Sequence, residues 1–178
     1  INGTTGSIYH NGSAANVTTT DATATALASG TEPFLFGRRG NDQNKSIAYL
    51  DDVHIYNRVL SLSESNQLYT RTSIPSSNLV ASWNFDGTLN DTVNAQNGTV
   101  YPLVPSLVTD GPVGPAHYLD QKSYSANAIS ISGNASRTFC AWMKIPSYVS
   151  QASLIRTGVV NSSLQDFSVE TSSISGNI

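Results

Sequence analysis

The segment that most constrains this chain of 178 residues is Tyr49-Leu50-Asp51-Asp52-Val53-His54-Ile55-Tyr56-Asn57-Arg58-Val59-Leu60-Ser61-Leu62-Ser63-Glu64. Leu50, Asp52, His54 and Tyr56 alternate with Tyr49, Asp51, Val53, Ile55 and Asn57. Many of these residues are β-branched or aromatic, so the spacing predicts a strand. Alternation places Asp51 and Asp52 on opposite faces of that strand, which argues against an acid pair. The strand ends at Asn57-Arg58. Ser61-x-x-Glu64 then has the form of a capping box, in which the serine oxygen accepts from a free amide and the glutamate reaches back to the cap. Leu62, Ser65 and Tyr69 share one helical face. This is the one helix the pattern supports.

The rest of the chain reads as short strands and turns. Asn11-Gly12 predicts a hairpin within residues 1–20, because both residues tolerate the positive φ of a type I′ turn. Residues 18–29 are low-complexity Thr/Ala, read as an edge strand and a loop or as a glycosylated or flexible segment. Phe34-Leu35-Phe36-Gly37 is a short apolar strand, and a polar loop over 38–46 follows. Residues 70–78, with Pro75, form a linker at the clearest break in composition. Leu79, Ala81, Trp83 and Phe85 then alternate with Val80, Ser82, Asn84 and Asp86, a strand expected to bury Trp83 and Phe85. A polar loop spans 88–98. Residues 99–108 are extended, and Pro102 and Pro105 exclude a helix and a central strand there. Residues 111–115 have turn chemistry. Further strands are expected at 116–119, 128–132, 138–145, 154–157 and 167–171. The sum is an all-β, antiparallel β-sandwich with one short helix after the Leu50–Asn57 strand.

Charge narrows the functional classes. Charged residues make up 12% of the chain, with a net of −3 and no basic patch, which argues against nucleic-acid binding and against an anionic membrane surface. No stretch approaches the ~20 apolar residues that span a bilayer, and no basic start with an apolar run marks a signal peptide. The chain opens in mid-pattern at Ile1, which fits a mature product or a piece of something longer. Ser and Thr total 43 residues and Asn 16, a composition typical of secreted β-proteins. Asn-x-Ser/Thr occurs at Asn2, Asn11, Asn16, Asn44, Asn90, Asn97, Asn134 and Asn161, against about four expected by chance. The surplus reads as glycans on exposed loops of an extracellular or cell-surface protein, or as composition bias. Cys140 has no internal partner. Between Phe139 and Ala141 it reads as a small buried hydrophobe rather than a reactive thiol.

Two segments resemble one family, the laminin-G-like members of the concanavalin-A-like jelly rolls. Residues 49–61, with Glu64 and Leu68-Tyr69, look like that family's closing strand and final short helix. Ile8-Tyr9-His10-Asn11-Gly12 and Phe34-Leu35-Phe36-Gly37 look like its penultimate hairpin and strand. Leu79-Val80-Ala81-Ser82-Trp83-Asn84-Phe85-Asp86-Gly87-Thr88-Leu89-Asn90-Asp91, followed by Asn97-Gly98-Thr99, looks like its opening strand and loop. Gly111-Pro112-Val113-Gly114-Pro115-Ala116, Leu119-Asp120 and Phe139-Cys140-Ala141-Trp142-Met143-Lys144 continue the opening half in order. The closing half therefore comes first: residues 1–74 resemble the C-terminal half of a sandwich, 75–78 a linker, and 79–178 an N-terminal half. The family's Trp-His strand between the halves is not found. A cut from a tandem array, a circular permutant, and half-sandwiches completed by a neighbouring copy all fit this order. The last follows from the need to cover an apolar sheet face and unpaired edges, and it propagates into a filament or closes into a ring.

Asp86, Asn90, Asp91, Asn94 and Asn97 crowd one loop, and such hard oxygen donors suit Ca²⁺. Turn-forming Asx residues account for the same composition. The resemblance implies a structural calcium there with help from the closing strand's acid, Asp51 or Asp52. The expected set is Asp52, Asp86, Asp91 and Asn97. His10, His54 and His117 lack zinc spacing. No Glu-x-Asp-x-x-Glu pattern and no Gly-x-Ser-x-Gly elbow is present, so no catalytic residue is assigned and the chain is read as a non-enzyme. Tyr101, Tyr118, Tyr124 and Tyr148 in or near loops are candidates for stacking on sugars, and Arg38-Arg39 for contacting an acidic glycan. Trp83 and Trp142 are read as core. The expectation is a structural or adhesive glycoprotein repeat that assembles with copies of itself into a fibre or array. The alternative is a carbohydrate-binding module of a larger secreted protein.

Overall fold

The computed structural model describes residues 7–14, 33–38, 45–101, 104–126, 135–146, 152–158 and 166–170. The low-complexity stretch 18–29 and the strand expected over 128–132 lie outside them. Among the described residues, twelve strands and one helix occur in the order β1 (Tyr9–His10), β2 (Ser13–Ala14), β3 (Phe34–Phe36), β4 (Tyr49–Tyr56), α1 (Leu62–Thr70), β5 (Leu79–Trp83), β6 (Gly98–Tyr101), β7 (Ser106–Val108), β8 (Ala116–Tyr118), β9 (Ser123–Ala126), β10 (Thr138–Lys144), β11 (Ser153–Gly158) and β12 (Asp166–Glu170). β1 and β2 form the expected hairpin, with Asn11 at φ 49° and Gly12 at φ 73° as a type I′ turn requires.

The other strands form two antiparallel five-stranded sheets. In the first, β4 is central. β10 lies along one edge, and the other edge is shared by β8 beside Tyr49-Leu50 and by β5 beside Val53–Tyr56, while β7 extends the sheet beyond β8. The second sheet runs β12-β11-β3-β9-β6. Each sheet thus takes one strand from residues 1–74 and four from residues 79–178. In both sheets the first-segment strand is interior.

The alternation of β4 is broken once. Cys140 of β10 faces His54, but Trp142, two residues on, faces Asp51, three residues back. The extra residue is a β-bulge, and Asp52 takes φ 42° to form it. Inward positions therefore change parity: Leu50, then Val53 and Ile55, face the core, while Tyr49, Asp51, His54 and Tyr56 face out.

The core lies between the sheets. Phe36 of β3 meets Trp83 edge-on at 5.2 Å and Phe85 at 5.8 Å, and Phe34 meets Phe139 at 5.8 Å. Leu119, Tyr124, Leu154 and Ile155 complete it. Trp83 donates its indole N–H to the Gln96 carbonyl at 3.0 Å, so its polar edge is satisfied on burial. β9 was not foreseen. Its Ser123-Tyr124-Ser125-Ala126 is too short and polar to stand out, yet Tyr124 is fully buried.

Helix α1 starts as the sequence dictates. Ser61 Oγ accepts from the Glu64 N–H, and Glu64 accepts from the Ser61 N–H at 2.9 Å. Glu64 also takes a two-pronged ion pair from Arg58, at 2.8 and 2.7 Å, which holds its carboxyl down at about 2. No residue of α1 is fully buried. Its attachment is Tyr69, stacked at 5.7 Å on Trp142. Trp142 is thus on the outer face of β10, not in the core, because Phe139, Ala141 and Met143 take the inward positions. The clasp at the end of β4 is local: Asn57 N–H donates to the Asn78 carbonyl at 3.1 Å, and Asn78 Nδ2 donates to Asn57 Oδ1 at 2.9 Å.

Candidate ligand face and acidic site

The outer face of the first sheet carries a row of residues in register. Lys144 of β10 pairs with Tyr49 of β4, Tyr49 with Tyr118 of β8, and Tyr118 with Ser106 of β7. The Tyr49 and Tyr118 rings lie 4.8 Å apart, and the Lys144 ammonium sits 5.0 Å from the Tyr49 ring centre. Lys122 Nζ reaches Ser106 Oγ at 3.4 Å and ends the row with a second cation. α1 covers the neighbouring part of this face through Tyr69 on Trp142, and the row itself is half-buried to exposed. Of the four tyrosines considered for sugar contact, Tyr118 lies in this row. Tyr124 is buried and bonded to His117 Nδ1, so it cannot stack on a ligand. The side chain of Tyr101 and all of Tyr148 lie outside the described residues, as does Arg39. The bulge at Asp52 had to be seen before Tyr49 could be placed on the outer face beside Tyr118.

A second site forms where the β4 edge passes from β8 to β5. Asp51 is 2% exposed. Its Oδ1 accepts from the Asp52 N–H at 2.9 Å, and its Oδ2 is buried without a hydrogen-bond partner. Burial first, and then the charge of Asp52, pushes its carboxyl up to about 7, and Asp86 acts in the same direction. Asp52 is also raised by burial, with the Arg71 cation opposing. The Val113 amide of the 111–115 loop is near enough to oppose the rise at Asp51 slightly. That loop turns tightly on a Gly111 N–H to Gly114 carbonyl bond of 2.8 Å, and a Cβ on Gly111 would come within 2.2 Å of Ala116 Cβ.

The loop after β5 is organised by Asp91. Its Oδ1 accepts from the amides of Ser82 at 2.8 Å and Val93 at 3.0 Å, and its Oδ2 from those of Asn94 and Gln96, both at 3.1 Å. Four amides fill the acceptor sites of one carboxylate. Asn97 Oδ1 accepts from the Asp91 N–H at 3.0 Å, and Asn94 Nδ2 donates to the Val80 carbonyl at 2.8 Å. Of the four residues expected to hold calcium, Asp91 and Asn97 thus bond the loop's own backbone, while exposed Asp86 accepts from Asn84 at 3.2 Å and Asp52 forms the bulge beside Asp51. Among the described residues, no three His, Cys, Asp or Glu side chains form a group that would hold a metal ion. The orphaned Asp51 Oδ2 beside Asp52 and Asp86 is the one observation that fits a hard cation, which would also draw on backbone carbonyls.

The remaining candidates have local partners. His54 Nδ1 pairs with Ser82 Oγ at 2.9 Å, and burial lowers its pKa to about 4. Burial pushes the Cys140 thiol up to about 12. Asn11, Asn90 and Asn97 are exposed. Asn2, Asn16, Asn44, Asn134 and Asn161 lie outside the described residues.

Fold and site together define a two-sheet antiparallel β-sandwich with a polar-aromatic row on an outer sheet face. Residues 1–64 match the Laminin_G_3 family model, described as the concanavalin A-like lectin/glucanases superfamily. The match takes in the hairpin, β3, β4 and the helix cap, so the laminin-G-like resemblance holds for the segment that opens the chain. No curated protein and no solved structure matches the chain. Among the described residues no helix is long and apolar enough to cross a membrane.

Proposed function

We propose that this chain is a non-catalytic, lectin-like or adhesive sandwich module of an extracellular glycoprotein, with saccharide as its ligand. The observation that carries the reading is the arrangement of β4. The strand that matches the family closes a sheet with β5, β8 and β10 of the same chain, and that sheet presents the Tyr49–Tyr118 row on its outer face. Isothermal titration against neutral and acidic oligosaccharides tests it. Saturable binding is expected, and no binding to any of them overturns the reading.

A second reading keeps assembly between copies. The pairings of β3 and β4 with strands of 79–178 can be made by residues 1–74 of a neighbouring copy, which would then propagate or close into a ring. The Asn57–Asn78 clasp supports closure within one chain. Light scattering separates the two: a monomer overturns the exchange of halves, and a polymer supports it.

Two further features complete the proposal. Calcium at Asp51, held otherwise by backbone carbonyls, would satisfy the orphaned Asp51 Oδ2 and offset the repulsion it feels from Asp52 and Asp86. Unfolding with calcium and with chelator tests this. A midpoint that rises with calcium in the native chain, and not in Asp51→Asn, supports the site, and no shift overturns it. Glycans at exposed Asn11, Asn90 and Asn97 are expected from a secretory host. An intact mass equal to the bare chain overturns them.

A further inference from the structure

Asn-Gly occurs three times in this chain, each time ahead of Ser or Thr, so the local sequence treats the three pairs alike. Asn2-Gly3 lies outside the described residues. The other two pairs sit in opposite surroundings. Asn97-Gly98 is pinned. Gly98 N–H donates to the Leu89 carbonyl at 2.7 Å, Gly98 pairs with Ala126 at the start of β6, and Asn97 Oδ1 accepts from the Asp91 N–H at 3.0 Å. A Cβ on Gly98 would come within 3.0 Å of Leu89 Cβ, so the backbone there has little room to turn. Asn11-Gly12 is instead the tip of the β1–β2 hairpin. Each of those strands is two residues long and exposed, and such a hairpin opens at small cost. Asn11 is exposed, and among the described residues no hydrogen bond holds its carboxamide or the Gly12 N–H.

We propose that Asn11-Gly12 is a site of spontaneous deamidation and that the fold spares Asn97-Gly98. The Gly12 nitrogen gives its proton to hydroxide and attacks Asn11 Cγ. The new N–C bond closes a succinimide ring, and the side-chain nitrogen leaves as ammonia. Water then opens the ring at either carbonyl, which leaves aspartate or isoaspartate at position 11. Water and hydroxide are the only co-reactants. Glycine suits the step because no Cβ shields the attacking nitrogen. At Asn97 the same attack must first break the bond from Gly98 to Leu89 and draw the carboxamide away from Asp91. The change at position 11 reaches α1. Gly12 lies against that helix, where a Cβ would come within 2.7 Å of the Tyr69 ring and 3.3 Å of Asn66 Oδ1. Isoaspartate adds a methylene to the main chain of the turn and a carboxylate beside it, so the two-residue I′ turn is lost at that contact. A glycan on Asn11 Nδ2 replaces the leaving group, so only chains bare at Asn11 react.

The test is peptide mapping by mass spectrometry of the whole chain, made in a bacterial host so that it is bare. One sample is held in warm, mildly alkaline buffer and a second in the same buffer with urea. In the folded chain, conversion at Asn11 should outpace that at Asn97 at least about tenfold, the effect of the two hydrogen bonds that hold Asn97-Gly98. In urea those bonds are gone, and the two sites should convert at similar rates. Fragmentation should find isoaspartate at position 11. Asn11→Gln should remove the signal there, because its longer side chain must close a larger ring. An Asn11 that stays intact in the folded chain overturns the site. Conversion of Asn97 in the folded chain as fast as that of Asn11 overturns the sparing. The same tenfold gap in urea would place the difference in the local sequence and overturn the role of the fold.

Discussion

Asp51 of β4 stands opposite Trp142 of β10, although the next pair along, His54 with Cys140, lies three residues away on β4 and two on β10. The surplus residue is absorbed at Asp52, with φ 42°. That bulge lets Leu50 and Val53 both face the core, and it sets Asp51 and Asp52 where their charges act on each other.

Position 52 therefore selects by backbone before side chain. In calcium-free buffer, Asp52→Val should cost about 1–3 kcal/mol, because a β-branched residue resists positive φ, while Asp52→Gly should cost nothing comparable. Urea unfolding midpoints check this. Equal midpoints for the two variants would show that φ does not govern the site.

Asp91 joins the β5 end to its loop through four amides. Asp91→Ala strands the buried Ser82 amide and three part-buried ones and should lower stability by about 3 kcal/mol. The loss should be the same with calcium or with chelator. A loss confined to calcium-containing buffer would instead make Asp91 a metal ligand.

The helix cap gives a pH signature. The Glu64 carboxyl is held at about 2 from an ordinary value of 4.5, first by the Arg58 bond and then by the Ser61 amide. A depressed acid contributes stability above its unfolded pKa and loses it as pH falls through the folded one. The gap in thermal midpoint between the native chain and Glu64→Gln should be full above pH 4.5 and close toward pH 2. A gap that does not change over that range would refute the ion pair's role.

Cys140 lies on the outer face of β10, and burial lifts its thiol to about 12. Thiol titration at pH 8 should be at least about a hundredfold slower in the folded chain than in urea, since the thiolate is the reactive form. Comparable rates would place the thiol in the open.

Much of this was legible in local pattern. Asn11-Gly12 forms its turn, Ser61-x-x-Glu64 its cap, and Trp83 and Phe85 their buried face, because each depends on neighbours within a few residues. Trp142 was misplaced because a mid-strand tryptophan reads the same whether it faces the core or the underside of a helix. β9 escaped notice because its four residues carry one large side chain, and only the neighbours β3 and β6 make it a strand.

The sequence by itself determined that the chain is a set of short antiparallel strands with one capped helix, since alternation, turn chemistry and capping act over a few residues. Tertiary structure alone decided that β3 and β4 fill the middle of sheets built from the second segment, that Asp52 shifts the register of β4, and that Tyr49 and Tyr118 meet between two lysines. Those outcomes depend on which strand edges pair and on which inward side chains fill the space between the sheets, and such pairings join residues far apart in the chain.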